Sequence, residues 1–248
     1  MSWCGEGDAP VTDSGREAEA RVVMNETIGA RVDEVRERIS AAQRRAGRAP
    51  DSVRLVAATK VQSVASIEAV LAAGVADLGE NRAQELVAKT PELARFDPVW
   101  HFIGRLQRNK INQLKDLVTW WQSIDSPDLA DALTARVPSA RVLVEVNVDA
   151  APQKGGCAPT AVPALVDHLR GHGAHVAGLM TVAPAGVDAR PTFALVRELA
   201  ERLELDELSM GMSGDFEVAV EEGATLVRVG TGLFGLRPTF PQSRDPGR

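Results

Sequence analysis

The feature that most constrains this chain is an alternation that begins at residue 53: short apolar runs, each separated from the next by sequence of helical character. The runs are VRLVAAT (53–59), GVADLG (74–79), VWHFIG (99–104), LVTWWQSI (117–124), RVLVEVNV (141–148), HVAGLMTV (175–182), ELSMGM (207–212) and TLVRVG (225–230). Between them, Ser63–Ala73, Arg82–Ala88, Ser126–Ala135, Val162–His172 and Pro191–Leu203 carry helical patterns. Strict strand–helix alternation implies a parallel sheet whose crossovers are helices. Eight units in one domain favour a closed (β/α)8 barrel, which usually takes about 250 residues, and this chain has 248. An open doubly wound sheet is the alternative topology. One extra helix is predicted ahead of the barrel, from Glu26 to Gly47, because Ile28, Val32, Val35 and Ile39 fall on one face.

No linker divides the chain. Residues 1–25 are rich in Glu, Asp, Gly and Ser and read as a disordered leader, since they offer little apolar surface to offset the entropy of ordering. The expected organisation is therefore a leader over 1–25, a barrel over 26–240 and a flexible tail over 241–248. Hydrophobic residues make up 44% of the chain, enough for a large core. No stretch approaches the roughly 20 apolar residues of a membrane span. The opening MSWCGEGDAP has neither a basic start nor an apolar run, so the expected compartment is the cytoplasm. Cys4 and Cys157 are too few and too scattered for a disulfide framework or a zinc site, and no HExxH or Walker-type loop suggests metal or nucleoside-triphosphate chemistry. A net charge of −6 argues against a general nucleic-acid binder. The chain contains no tyrosine, which excludes any mechanism that needs a phenolic base.

In a (β/α)8 barrel the active site lies at the C-terminal ends of the strands. Those ends are polar here: Lys60 after run one, Glu80 and Asn81 after run two, His101 in run three, Asn147 in run five, Ser213 after run seven, and Arg228, Gly230 and Thr231 around the end of run eight. A lysine at the end of an apolar strand can act as a nucleophile toward carbonyls when it is desolvated, although a solvated strand-end lysine is the plainer reading. The loops after strands seven and eight often bind phosphate. Ser213-Gly214-Asp215 and Gly230-Thr231-Gly232 stand at those places. Arg228 lies two residues before Gly230 and faces the barrel interior, where it needs a role or an acid such as Glu145. His101, between Trp100 and Phe102, reads by itself as a hydrogen-bonded core residue. Arg105–Lys110 is a basic segment suited to a phosphate or to a solvated helix start.

Six segments, VAATK (56–60), GENRAQE (79–85), HFIGRLQRNK (101–110), GLM (178–180), SMGMSGDFEVAV (209–220) and VRVGTGLFG (227–235), together resemble the pyridoxal phosphate homeostasis proteins. Their barrel is similar to the alanine racemase N-terminal domain. The resemblance spans roughly residues 26–238. It implies pyridoxal 5′-phosphate (PLP) as cofactor, held as a Schiff base on Lys60. Ser213, Gly230 and Thr231 would hold the phosphate, Arg228 would lie by the pyridine ring, and Asn81 and His101 would fall near the ring. Gly155, Cys157 and Gly214 depart from the family's usual wording.

The resemblance further implies a monomeric carrier that buffers PLP or delivers it to PLP-dependent apo-enzymes, with little or no turnover and no membrane or nucleic-acid partner. The chain's end shortly after the last barrel motif suggests a site open to solvent. A PLP-dependent racemase or decarboxylase on the same barrel, and an aldolase using Lys60, are the rival readings.

Overall fold

The computed structural model describes residues 13–235. Eight parallel strands close into a barrel in chain order: β1 Arg54–Ala58, β2 Asp77–Glu80, β3 Val99–Phe102, β4 Trp120–Ile124, β5 Arg141–Val146, β6 His175–Thr181, β7 Glu207–Ser209 and β8 Leu226–Val229. β8 pairs with β1, so the open-sheet alternative is ruled out. Seven strands lie inside one of the eight apolar runs each, and β2 extends one residue past its run, to Glu80. Such runs are legible because an all-parallel sheet is buried on both faces, by helices outside and by the barrel's own filling inside.

The outer layer is α1 Asp13–Arg45, α2 Val64–Ala72, α3 Ala83–Leu93, α4 Ile111–Leu114, α5 Pro127–Thr134, α6 Val162–Gly171, α7 Arg190–Arg202, α8 Phe216–Glu221 and α9 Thr231–Phe234. α9 has only four residues, too few to cover the seam between β8 and β1. α1 fills that place, packing against α2, α8 and α9. Its buried face is Ile28, Val32, Val35, Ile39 and Ala42, the stripe read from the sequence plus one further turn.

The expected leader needs correction. α1 begins at Asp13, so residues 13–25 are helical rather than disordered. Sparse apolar content meant that this stretch would bury little, not that it would lack structure. Once the packed turns after Ile28 have nucleated a helix, extending it N-terminally costs little per residue, and Glu, Ala and Arg extend it well. Arg21 pairs with Glu68 of α2 at 2.6 Å, and Met24 rests partly on the core, while Val22 and Val23 stay exposed. Residues 1–12 and the expected tail at 241–248 lie outside the described residues. Among the described residues no helix is long and apolar enough to cross a membrane.

Candidate functional site

Strand geometry sets the direction of every side chain at the barrel mouth. Successive residues of a strand point to opposite faces, so Arg54, Val56, Ala58 and, two residues on, Lys60 share the inward parity of β1. Val56 pairs in register with Arg228 of β8, which is likewise turned inward and buried. Lys60 is exposed, and it lines a cavity of about 490 Å³ at the mouth together with Asn81, Gly104, Arg105, Glu145 and Lys154.

The backbone on either side of Lys60 is fastened by a buried ion cluster. Lys89 of α3 donates to Glu80 Oε2 at 2.7 Å, to Glu85 Oε2 at 2.8 Å and to the Thr59 carbonyl at 2.8 Å. Thr59 Oγ1 donates to Glu80 Oε2 at 2.9 Å, and the Val61 amide donates to Glu85 Oε2 at 2.8 Å. Thr59 and Val61 flank Lys60. Val61 has φ +58, a left-handed conformation that a β-branched residue adopts only when its surroundings impose it. Glu80 and Lys89 are both buried. Sequence reading placed Glu80 at the rim but missed the cluster; the Glu85–Lys89 spacing of four on one helix was its visible signal.

On the other flank of β1, β8 and then β7 end in loops that meet. Ser213 Oγ accepts from the amides of Gly230 and Gly232 at 3.3 and 3.2 Å, and Thr231 opens α9 beside them. A Cβ on Gly232 would stand 2.8 Å from Val229 Cγ1, so only glycine lets this loop close so tightly. Asp215 precedes α8 and accepts from the Met212 amide at 2.6 Å.

His101 does not line the cavity; it is the hydrogen-bonded core residue that its neighbours in the sequence suggested. It is fully buried inside the barrel, stacked on Trp120 with ring centroids 5.5 Å apart. Its Nε2 meets Asp77 Oδ1 at 2.8 Å and its Nδ1 meets Gln122 Nε2 at 2.7 Å. An amide nitrogen can only donate, so Nδ1 is the acceptor and Nε2 carries the proton. Burial, the largest influence, holds the imidazole below its ordinary pKa against the pull of Asp77. The chain of hydrogen bonds continues upward: Ser209 Oγ donates to Gln122 Oε1 at 2.6 Å, and Arg228 donates to Ser209 Oγ at 2.7 Å and to the Thr181 carbonyl at 2.8 Å. Every donor in this column points away from Arg228 and toward Asp77. His101 therefore reaches the mouth only through Gln122, Ser209 and Arg228. Burial lowers Arg228 to about 10, which leaves it cationic at neutral pH.

Glu145 of β5 is the titratable group that sequence reading mentioned only as a partner for Arg228. Burial, reinforced by Asp125 and opposed by Arg228 and Arg105, pushes its carboxyl up to about 7. Gly155 explains part of the loop wording that departs from the family. A Cβ there would lie 2.8 Å from Glu145 Oε2, the far end of a flexible side chain, so a larger residue at this place would displace the carboxylate rather than the loop. The loop then returns to β5, with Cys157 N donating to the Glu145 carbonyl and Asn147 N to the Cys157 carbonyl, both at 2.9 Å. Burial raises the Cys157 thiol to about 11, so it stays protonated at neutral pH.

The family model for the alanine racemase N-terminal domain matches residues 31–238, which sets the class of this barrel. A pyridoxal phosphate homeostasis protein of Aquifex aeolicus is 42% identical over 221 residues, covering 84% of this chain and 97% of its own. One of Deinococcus radiodurans is 45% identical over 203 residues, covering 79% and 95%. The solved structure of PipY of Synechococcus elongatus with PLP bound is 35% identical with a TM-score of 0.72, over 84% of this chain and 100% of that one. This chain belongs to the pyridoxal phosphate homeostasis protein family.

Proposed function

We propose that this protein binds PLP at the barrel mouth through Lys60 and serves intracellular PLP homeostasis by buffering the cofactor or handing it on, with little or no turnover of its own. The observation that carries the reading is Lys60 itself: an inward-facing lysine on the cavity wall, with both flanking residues fastened by the Glu80–Glu85–Lys89 cluster. Support comes from PipY, a relative with PLP bound.

The residues present fit the cofactor. The Gly230 and Gly232 amides converge on Ser213 Oγ at long distances, so a phosphate oxygen could take over both donors while the Ser213 and Thr231 hydroxyls add their own. Asn81 lines the cavity wall near Lys60 and is positioned to border the ring. Arg228 is held by Ser209 and Thr181 so that its guanidinium keeps one orientation beneath the mouth. When bound, PLP supplies an electron sink through its pyridine nitrogen. A permanent cation beside that nitrogen keeps it unprotonated and weakens the sink, which suits holding the cofactor better than using it. His101 is buried below the mouth and is linked to it only through Gln122, Ser209 and Arg228.

A racemase remains the second reading, because Glu145 lines the same cavity with a pKa near neutrality and could hold a proton there.

The test is the visible spectrum of the purified, PLP-loaded protein before and after borohydride, followed by peptide mapping. Label on the Lys60 peptide, and no covalent adduct in Lys60→Ala, is the expected result. The serious rival is Lys154, which lines the same cavity but is paired with Asp149 at 2.7 Å. Label on Lys154 or Lys110 would overturn the assignment.

A further inference from the structure

Far from the chemistry just described, on the flank of the barrel, three ligand-type side chains meet. Asp131 lies on α5, His168 on α6, and His172 caps the C-terminal end of α6. One ligand atom from each lies within 4.8 Å of the others. His168 Nε2 is 2.6 Å from Asp131 Oδ1, and His172 Nε2 is 3.8 Å from the same oxygen. The two imidazoles are four residues apart, one helical turn, with ring centroids 4.4 Å apart.

The hydrogen bonding of His172 orients it as a metal ligand is oriented. Its Nδ1 lies 2.8 Å from the His168 carbonyl oxygen. A carbonyl can only accept, so Nδ1 carries the proton and the lone pair of the neutral ring is on Nε2, the atom turned toward Asp131. Histidines that bind metals are oriented in this way, by donating their other ring N–H to a carbonyl or carboxylate.

We propose that Asp131, His168 and His172 form a binding site for a divalent transition-metal ion of the zinc class, which clamps α5 to α6. Zinc bonds to nitrogen and oxygen at about 2.0–2.2 Å, so tetrahedral ligand atoms stand roughly 3.3–3.5 Å apart. The 2.6 Å contact must open slightly and the 3.8 Å one must close slightly. Both adjustments are small rotations of side chains that are 29%, 50% and 55% exposed for His168, His172 and Asp131. On binding, His168 moves its proton from Nε2 to Nδ1, and the Asp131 carboxylate, no longer accepting that proton, turns its oxygen to the ion. Two neutral imidazoles and one carboxylate suit zinc, nickel or copper better than magnesium or calcium, which favour oxygen ligands. Solvent exposure leaves room for water in the remaining coordination position. The site is independent of PLP, so its role is to brace the flank of the barrel.

The full-length protein, stripped with chelator and returned to metal-free buffer, is titrated with Zn²⁺ by calorimetry and with Co²⁺ by visible absorption. One Zn²⁺ per chain is expected, with a rise in the thermal midpoint and a Co²⁺ spectrum of low coordination number. His168→Ala/His172→Ala should weaken binding by more than about ten-fold, given that losing even an outer-shell partner costs about that much. Asp131→Asn, which keeps the shape of the side chain, should weaken it as well. His175→Ala, a nearby histidine outside the cluster, should bind as the parent does, and the PLP spectrum should not change in any variant. No saturable Zn²⁺ binding by the parent, or unaltered binding in the double variant, would overturn the proposal.

Discussion

At the scale of single residues, the best-constrained position is Lys89. Its ammonium holds Glu80, Glu85 and the Thr59 carbonyl in one buried knot. Lys89→Met leaves the Glu80 carboxylate buried without a counter-charge, and breaking a buried pair in this way costs about 3–5 kcal/mol. Urea denaturation of the PLP-free protein should show that loss, together with slower PLP uptake as the turn at Lys60 loosens. Glu145 gives a prediction of opposite character. Its folded pKa of about 7 lies above the ordinary carboxylate value, so the folded state holds a proton that the unfolded state releases first. Its contribution to stability is therefore present at acid pH and declines as pH rises through the window up to about 7. Between about pH 5 and about pH 8 the parent should lose about 2–3 kcal/mol relative to Glu145→Gln, on the scale of 1.36 kcal/mol per pKa unit. A parent and variant that change in parallel with pH would show that Glu145 ionises normally.

At the scale of elements, α1 contributes through one face only. Ile28→Ala, at a fully packed position, should cost about 2–5 kcal/mol, whereas Val22→Ala on the exposed side should fall within about 0.5 kcal/mol of the parent. Thermal melts of the two variants compare them directly. Strands were readable in the sequence because burial on both faces leaves continuous apolar runs. Helix boundaries were less so: α3 was expected to stop at Ala88 but runs to Leu93 and takes Pro91 into its last turn. For the candidate site, position at the strand ends pointed to Lys60 and Arg228 and position in the loops after strands seven and eight to Ser213, Gly230 and Thr231; the structure puts Lys60 and Asn81 on one cavity wall and bonds Ser213 Oγ to the Gly230 amide. The neighbours of His101 marked it as a core residue, but they carry no information about height along the barrel axis. His101 lies on the level of Trp120, below the mouth. The Glu80–Lys89 knot and the Asp131–His168–His172 cluster escaped notice because each joins side chains of neighbouring elements, and the period of a single strand or helix shows only the pairs one turn apart, Glu85–Lys89 and His168–His172.

At the scale of the whole molecule, the prediction is functional. Racemisation needs one group to remove a proton from one face of the substrate and another to return it on the opposite face, and each is typically worth about 10²–10⁴ in rate. Without tyrosine, and with Arg228 as the proposed neighbour of the ring, the PLP-loaded protein should turn over amino acids far below the usual 1–10³ s⁻¹ of working enzymes. It should nonetheless restore activity to a PLP-dependent apo-enzyme. Alanine racemisation at ordinary rates, abolished by Glu145→Gln, would instead establish the racemase reading. The barrel's interior column has one more consequence. Trp100, Trp120 and Trp121 are almost fully enclosed in the barrel wall and lumen, and the chain has no tyrosine to add a second ultraviolet emitter. Light emitted by these indoles would overlap the absorption of a pyridoxal chromophore held at the mouth as proposed, so PLP binding there should quench the emission of the chain. Loading and release of cofactor can therefore be followed on the unlabelled chain, with its own indoles as the gauge.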